Sequence, residues 1–294
     1  MPQPDQLNAF IAAAETGSFS AAARRLKKAQ SAISNAVINL EIEAGVELFD
    51  RSKRSPVLTE EGHTLLKSAY AIIESHADFI AKAMAMNAGE ESHLCIAIEQ
   101  NVSALPVVEL LVEFEQIFPY IELELLDPGT SDVATLLRNG RADLGLMMEQ
   151  EHYPKGFMFR GIGHSRKLPV CSKNHPLAKL KQVSHSDLRS YRQLVPRSLD
   201  LEDTSHEEQI LSPKVWYAES PFVIAELLSA GLGWASLHES VVKEQLAQGS
   251  LIALKRIYQQ DASLQGIDVV WTKHKPLGKG GQWLLKHCFK LNLR

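Results

Sequence analysis

The stretch from Gln30 to Ala44 carries the most specific chemistry in the sequence. Placed at 100° steps on a helix, Ile33, Ala36, Val37 and Leu40 fall on one side and Gln30, Ser31, Ser34, Asn35 and Ile38 on the other. The first set can pack against neighbouring helices, which leaves the second facing outward. Gln and Asn can pair bidentately with the edge of adenine, Ser can reach either partner, and Ile38 can touch a thymine methyl. Basic residues flank this face in two clusters: Arg24, Arg25, Lys27 and Lys28 before it, and Arg51, Lys53 and Arg54 after it. Over residues 18–54 these seven basic side chains meet four acidic ones, Glu41, Glu43, Glu47 and Asp50, leaving a local charge of +3. Such a layout suits phosphate contacts on both sides of a major groove with the polar face at the base edges. The candidate DNA-contacting residues are Ser18, Arg24, Lys28, Gln30, Ser31, Ser34, Asn35, Ile38, Arg51 and Arg54; Ser18 doubles as a candidate helix cap.

A second kind of chemistry belongs to small polar residues at predicted helix starts. Gln100, Asn101 and Ser103 follow a predicted strand, Thr130 and Ser131 precede a helix, and Ser220 stands before Pro221. Free backbone N–H groups and a partial positive charge at such ends favour a carboxylate or another anion. Arg197, just after a predicted strand, can add a bidentate partner. Glu99, Glu149, Glu151 and Glu219 lie near the same strand ends, so a cationic or zwitterionic ligand stays open. Catalytic signatures are missing: there is no G-x-S-x-G, H-E-x-x-H, phosphate-binding loop or G-x-G-x-x-G, and the eleven histidines are scattered. His175 and His238 read as hydrogen-bonding residues. Cys95, Cys171 and Cys288 show no C-x-x-C spacing, and all three read as buried apolar residues. A catalytic site, a metal and a cofactor are therefore not expected.

The elements that must position these groups can be read from periodicity. Gln6–Glu15 repeats apolar residues at i, i+3, i+4 and i+7, Gly17 stops that helix, and a second runs from Ser20 to Lys27. Residues 48–59, LFDRSKRSPVLT, read as a basic hairpin-like turn with a short strand at Val57 and Leu58. Helix, helix with a tight turn, helix and basic hairpin is the order of a winged helix-turn-helix. Thr59 can cap a fourth helix reaching about Asn87, or roughly 40 Å. Its seam of Leu65, Ala69, Ile72, Ile73, His76, Ile80 and Ala83, with Met84, predicts coiled-coil-like dimerisation. From Ser92 the pattern alternates: strands at His93–Glu99, Ile121–Leu126 and Asp143–Met148 with helices at Leu105–Phe118 and Val133–Asn139 between them. It resumes with Lys214–Ala218, Pro221–Ala230, Gly233–Leu237, Glu239–Gln248 and Leu251–Leu254, and ends with Asp268–Thr272 and Gly281–Lys290. Between lies an irregular stretch with short strands at Lys167–Ser172 and Gln193–Val195. Alternation with short connections predicts parallel, doubly wound sheets.

Composition bounds the rest. A chain of 294 residues with 45% hydrophobic residues predicts about two folded domains. The net charge of −4 gives no bulk sign of a nucleic-acid partner. Residues 1–89 alone carry nine basic and ten acidic side chains, so placement rather than total charge supports the DNA reading. The longest apolar stretch, Pro221 to Leu237, is broken by Glu226 and is too short to span a bilayer. With no secretory pattern at MPQPDQLNAF, a cytoplasmic protein without membrane association is expected.

Over the first ~90 residues the sequence resembles the LysR-type transcriptional regulators. The matching residues are Phe10, Ala13, Glu15, Gly17-Ser18-Phe19, Ala21-Ala22, Leu26, Gln30-Ser31-Ala32-Ile33-Ser34, Leu40-Glu41, Gly45-Val46, Leu48-Phe49, Arg51, Arg54, Leu58-Thr59 and Gly62. FPYIELEL, LLRNGRADLGLM, NHPLA and SAGLGWASL then follow in the order of that family's effector domain. The resemblance implies an N-terminal all-α winged helix-turn-helix with a long linker helix. Behind it should stand a C-terminal α/β effector domain of two Rossmann-like, periplasmic-binding-protein-like subdomains. Boundaries follow at 1–59 for the DNA reader, 60–89 for the dimerising helix and 90–294 for the sensor. The sensor's halves are about 92–162 with 267–294, and 163–266. The implied function is sequence-specific transcriptional regulation modulated by a small molecule between the two halves. The implied partners are double-stranded promoter DNA, that effector (a carboxylate among the candidates), a homodimer or a dimer of dimers, and RNA polymerase. Ser31 stands where proline is common in the family, and Asn35, Ile38 and Asn39 where basic residues are. With no Lys or Arg between Lys28 and Arg51, phosphate binding must lean on the flanking clusters. Two rival readings remain: a small-molecule sensor that does not bind promoters, and a regulator that senses redox state through cysteine.

Overall fold

The computed structural model describes residues 2–52, 56–129, 132–197, 210–257 and 263–293. The chain forms two compact units, Met1–Ala88 and Gly89–Arg294.

The first unit holds α1 (Pro4–Thr16), α2 (Phe19–Leu26), α3 (Gln30–Ala44), a ribbon of β1 (Phe49–Asp50) and β2 (Val57–Leu58), and α4 (Glu60–Asn87). Helix α1 ends where Gly17 takes a left-handed φ of 64°, and Ser18 accepts from the Ala21 N–H at the start of α2. Lys27 ends α2 in a left-handed conformation, φ 54°, unusual for a side chain with a Cβ. Its N–H still returns to carbonyls of the last turn of α2. The tight turn required between α2 and α3 is thus built on a lysine. Phe10, Ile33, Val37, Leu40, Leu48 and Phe49 fill the core, with the Phe49 ring edge-on to Phe10 at 5.7 Å and to Phe19 at 5.3 Å. Thr59 joins ribbon and helix: its N–H donates to the Leu48 carbonyl, and its hydroxyl accepts from the Gly62 N–H at 2.9 Å. A side chain at Gly62 would run into that same Leu48 carbonyl, so only glycine lets α4 start so close to the ribbon.

The second unit contains, in order, β3 (His93–Ile98), α5 (Leu105–Ile117), β4 (Glu122–Leu126), α6 (Asp132–Arg138), β5 (Leu144–Met148) and β6 (Phe157–Ser172). A 3-10 turn, Pro176–Lys179, leads to α7 (His185–Ser190), β7 (Gln193–Pro196), β8 (Val215–Ala218), α8 (Pro221–Ser229) and β9 (Trp234–His238). Then come α9 (Glu239–Gln248), β10 (Leu251–Ala253), β11 (Ser263–Thr272) and α10 (Lys279–Cys288). Among the described residues the strands form one sheet, in the order β4-β3-β5-β11-β6-β9-β7-β8, with β10 against β6. The two ends are parallel groups, β4-β3-β5 and β7 with β8 and β9. Antiparallel β6 and β11 cross from one group to the other. Their pairing slips at Ile267/Asp268 opposite Gly161–Gly163, a bulge midway along both strands. Helices and apolar clusters cover both faces, one cluster around Leu94, Ile96 and Phe114 and another around Ile224, Ala235 and Val242.

The sixteen-residue β6 corrects the reading of residues before Lys167 as irregular. Phe157–Arg166 carries two glycines and shows no regular alternation of polar and apolar residues, and it becomes a strand because β11 pairs with it from Ser263 to Thr272. Similarly, β11 begins five residues before the expected Asp268, and α7 and the 3-10 turn occupy parts of the same supposedly irregular stretch.

Candidate nucleic-acid interface and effector cavity

Helix α3 presents its two sides as its periodicity predicts. Ile33, Val37 and Leu40 are buried, whereas Gln30, Ser31 and Asn35 are exposed and Ser34 and Ile38 half-buried. Its N-cap is Ala29, which has no side-chain acceptor, so the free N–H groups of the first turn are left unclaimed by a cap beside Gln30 and Ser31. A free helix start adds a partial positive charge to the face that has no lysine or arginine of its own.

The basic clusters are partly neutralised by the unit's own acids. Arg25 pairs with Glu15, Lys28 with Asp5 at 2.7 Å, and Arg51 with Glu41 at 2.7 Å. Arg24 and Lys27 make no ion pair with a described residue and are exposed. Glu41 also accepts from the backbone N–H groups of Leu48 and Phe49 at 2.9 and 3.2 Å, tying α3 to β1. The Arg51 guanidinium lies 5.9 Å from the Phe19 ring centroid and remains partly exposed at the edge of the ribbon. The Ser18 hydroxyl is engaged as the α2 cap, over a long 3.4 Å. Arg54, with Lys53, lies outside the described residues.

Helix α4 corrects part of the proposed dimer seam. Ala69 is buried in the unit's own core, and Leu65 and Ile73 pack against that core. Ile72, His76, Ile80 and Ala83 are exposed, as are Tyr70, Phe79, Met84 and Met86. The first half of the helix covers the small domain, so Leu65, Ala69 and Ile73 are already used there while Ile72 is left outside. Phe79, 70% exposed, was missed although it stands seven residues after Ile72, in register with Leu65 and Ile72.

In the second unit a cavity of about 390 Å³ opens where the carboxyl ends of β3 and β4 meet the N-terminal ends of α5, α8 and α9. Ile98, Val102, Leu125, Leu126 and Phe222 give it apolar walls, and Gln100, Ser103, Ala104, Asp127 and Ser240 complete it. Gln100 and Ser103 are thus brought together in the lining of this cavity. Asn101 does not: it is buried, donates from Nδ2 to Glu99 at 3.0 Å, and its carbonyl accepts from the Ser240 hydroxyl at 2.7 Å. Arg197 and Ser220 are half-buried and lie outside the lining, with the Arg197 guanidinium 5.2 Å from the Tyr217 ring. Thr130 and Ser131 lie outside the described residues. Asp127 and Ser240 were missed; each sits at a strand's end or a helix's first turn, the same signal that selected Ser103. Partial burial pushes the Asp127 carboxyl above the usual carboxylate range, against the opposing hydrogen bond from Gln100.

Behind the cavity lies a polar cluster in the core. Glu99 accepts from Asn101 and from the Met148 N–H at 2.9 Å. Burial pulls the Lys167 ammonium below its ordinary value, opposed by the charge of Glu99. His238, the residue before α9, bonds through Nδ1 to the Ser165 hydroxyl at 2.9 Å. Burial, then the charge of Lys167, pulls its pKa down to about 3, so it is neutral. His175 likewise serves the backbone, its Nδ1 accepting from the Leu177 N–H. The three cysteines are buried, and burial pushes the thiols of Cys171 and Cys288 up to about 11 and about 12 and raises that of Cys95. None carries the lowered pKa that makes a thiol reactive. Among the described residues no group of three His, Cys, Asp or Glu side chains is placed to hold a metal, and no helix is long and apolar enough to cross a membrane.

Comparison with known proteins matches both units. The family model described as bacterial regulatory helix-turn-helix protein, lysR family, fits residues 4–63, and the LysR substrate binding domain fits residues 87–291. The HTH-type transcriptional regulator AceR of Acinetobacter baumannii is 30% identical over 285 residues, spanning 96% of this chain and 95% of that protein. Among solved structures, a mutant of Corynebacterium glutamicum OxyR aligns with a TM-score of 0.57 at 23% identity, covering 99% of this chain and 93% of that one. CrgA of Neisseria meningitidis, a LysR-type transcriptional regulator, aligns with a TM-score of 0.53 at 24% identity over 97% of each chain. The structures establish the shared fold, and the two family matches together span nearly the whole sequence. The chain belongs to the LysR family and is a DNA-binding transcriptional regulator with a LysR substrate-binding domain.

Proposed function

We propose that the outward face of α3, through Gln30, Ser31, Ser34, Asn35 and Ile38, reads the operator, while Arg24, Lys28, Arg51 and Arg54 hold the phosphates. The exposed polar face opposite a buried Ile33–Val37–Leu40 stripe carries this reading. Residues 1–59 serve as the reader and 60–89 as the dimerising helix, so the working species is a dimer or a dimer of dimers with two-fold related half-sites. Residues 90–294 serve as the sensor, with the effector seated in the cavity between halves 92–162 with 267–294 and 163–266. Ligand acts by favouring one arrangement of the two halves, provided its affinity differs between them. With DNA as the partner, the site of action is cytoplasmic.

The test is a gel shift of the full chain against the promoter next to its own gene, at several salt concentrations. Retardation that exceeds that of random DNA by about 10³-fold or more in affinity is the expected outcome. Binding no tighter than to random DNA would refute operator reading and favour a ligand sensor that does not touch promoters.

A further inference from the structure

We infer that the effector is an organic cation, an ammonium or amidinium group on an apolar body, held with its N–H groups against Asp127 and Gln100. The inference rests on the reading of this cavity as the effector site and assigns the class of molecule that fits it.

The lining offers acceptors in the Asp127 carboxylate and the Ser240 hydroxyl, beside a Ser103 hydroxyl that can donate or accept. The Gln100 amide nitrogen donates to the Asp127 backbone carbonyl at 3.2 Å, which fixes the side chain and leaves its Oε1 buried with no partner. A buried acceptor without a donor costs free energy until a ligand N–H or O–H supplies one. The Ser240 proton is committed to the Asn101 carbonyl, leaving the hydroxyl's lone pairs free to accept. Among the described lining residues Asp127 is the ionisable side chain, and none is Lys, Arg or His.

A carboxylate ligand would face Asp127 and an orphaned carbonyl oxygen with no cation in return. The usual backbone anion site is also weak here. The start of α5 has Pro106 among its first residues, which removes one of the N–H groups that would point at an anion. Arg197, the arginine the sequence offered as a carboxylate clamp, lies over Tyr217 and outside the lining, although its buried Nε also has no hydrogen-bond partner. The hydrocarbon part of the ligand is provided for by Ile98, Val102, Leu125, Leu126 and Phe222. The volume of about 390 Å³ is within the range of small-molecule sites.

The experiment is calorimetric titration of the full-length protein with three probes of one shape: 4-phenylbutylamine, 4-phenylbutanol and 4-phenylbutyrate. The amine should bind at least about tenfold tighter than the other two. Asp127→Asn should remove that preference while leaving the alcohol's affinity within about twofold, with circular dichroism and thermal unfolding showing that the variant folds. Tightest binding by the carboxylate, no binding of the amine at millimolar concentration, or an amine affinity unchanged in Asp127→Asn would each overturn the cation assignment. Ser103→Trp, which fills the cavity, separates this from the underlying site. Loss of carboxylate binding in that variant would leave the site in place and refute only the ligand class. Undiminished binding of all probes would refute the site itself.

Discussion

Glu41 shows how one side chain sets the terms for DNA contact. It holds the N–H groups of Leu48 and Phe49 and also the Arg51 guanidinium, so an Arg51 that served the proposed phosphate contact would come to it already paired with a negative charge. Arg24 carries no such partner among the described residues. Each unpaired phosphate contact contributes about one unit to the salt slope of binding. Arg24→Ala should therefore flatten that slope by about one unit, and Arg51→Ala by clearly less, with both weakening specific and random DNA alike. Asn35→Ala should leave the slope alone and relax preference at one base pair, worth about 1–3 kcal/mol. Filter binding across a salt series and a base-substitution scan check these outcomes. A larger slope change for Arg51 than for Arg24 would contradict the role given to the Glu41 pair.

At the scale of elements, the two ends of the 28-residue α4 differ in what they pack against. Its first half closes the DNA-reading unit through Leu65, Ala69 and Ile73, and Tyr70 donates to Glu15 on α1 at 2.5 Å. Beyond Ile73 the apolar side chains Phe79, Ile80 and Met84 face outward, more exposed area than a helix in water leaves without a partner. Phe79→Asp should therefore shift the oligomer toward monomer while leaving the reader folded. Losing burial of one phenyl ring costs about 2 kcal/mol, a change of roughly thirtyfold in the dissociation constant. Light scattering over a dilution series would reveal it. Unchanged assembly would move the interface elsewhere.

For the molecule as a whole, the buried cluster behind the cavity predicts a response to acid. His238 ordinarily titrates near 6.5, but in the folded state burial and Lys167 hold it down to about 3. Below pH 6.5 the unfolded chain takes up a proton that the folded chain refuses. Stability is therefore lost as pH falls from about 6.5 toward 3, by up to about 1.4 kcal/mol per pH unit for this group. His238→Gln keeps a hydrogen-bonding side chain at Ser165 and removes the titration. Its melting temperature should fall less steeply between pH 6.5 and 4.5 than that of the unaltered protein. Parallel curves would show that His238 does not contribute. Beside the same cluster, Ser240 at the start of α9 donates to Asn101 after β3.

The sequence by itself determined the reader. Helical period, the Gly17 stop, the Ser18 and Thr59 caps and the split face of α3 depend on contacts within a few residues, and such local preferences survive into the fold. The alternation after Ser92 likewise announced an α/β sensor. Tertiary structure decided what local pattern cannot carry. Phe157–Arg166 is a strand because β11, about a hundred residues later, pairs with it. Leu65 and Ala69 face inward because the small domain lacked a lid. Around the cavity, small polar residues at helix starts looked alike in sequence. Packing turned Asn101 toward Glu99, left Arg197 over Tyr217, and brought Asp127 and the unpartnered oxygen of Gln100 together. The sign of charge that a site prefers depends on which side chains converge in space, so sequence left carboxylate and cation both open, and the cation proposed for this cavity is argued from walls that only the fold assembles.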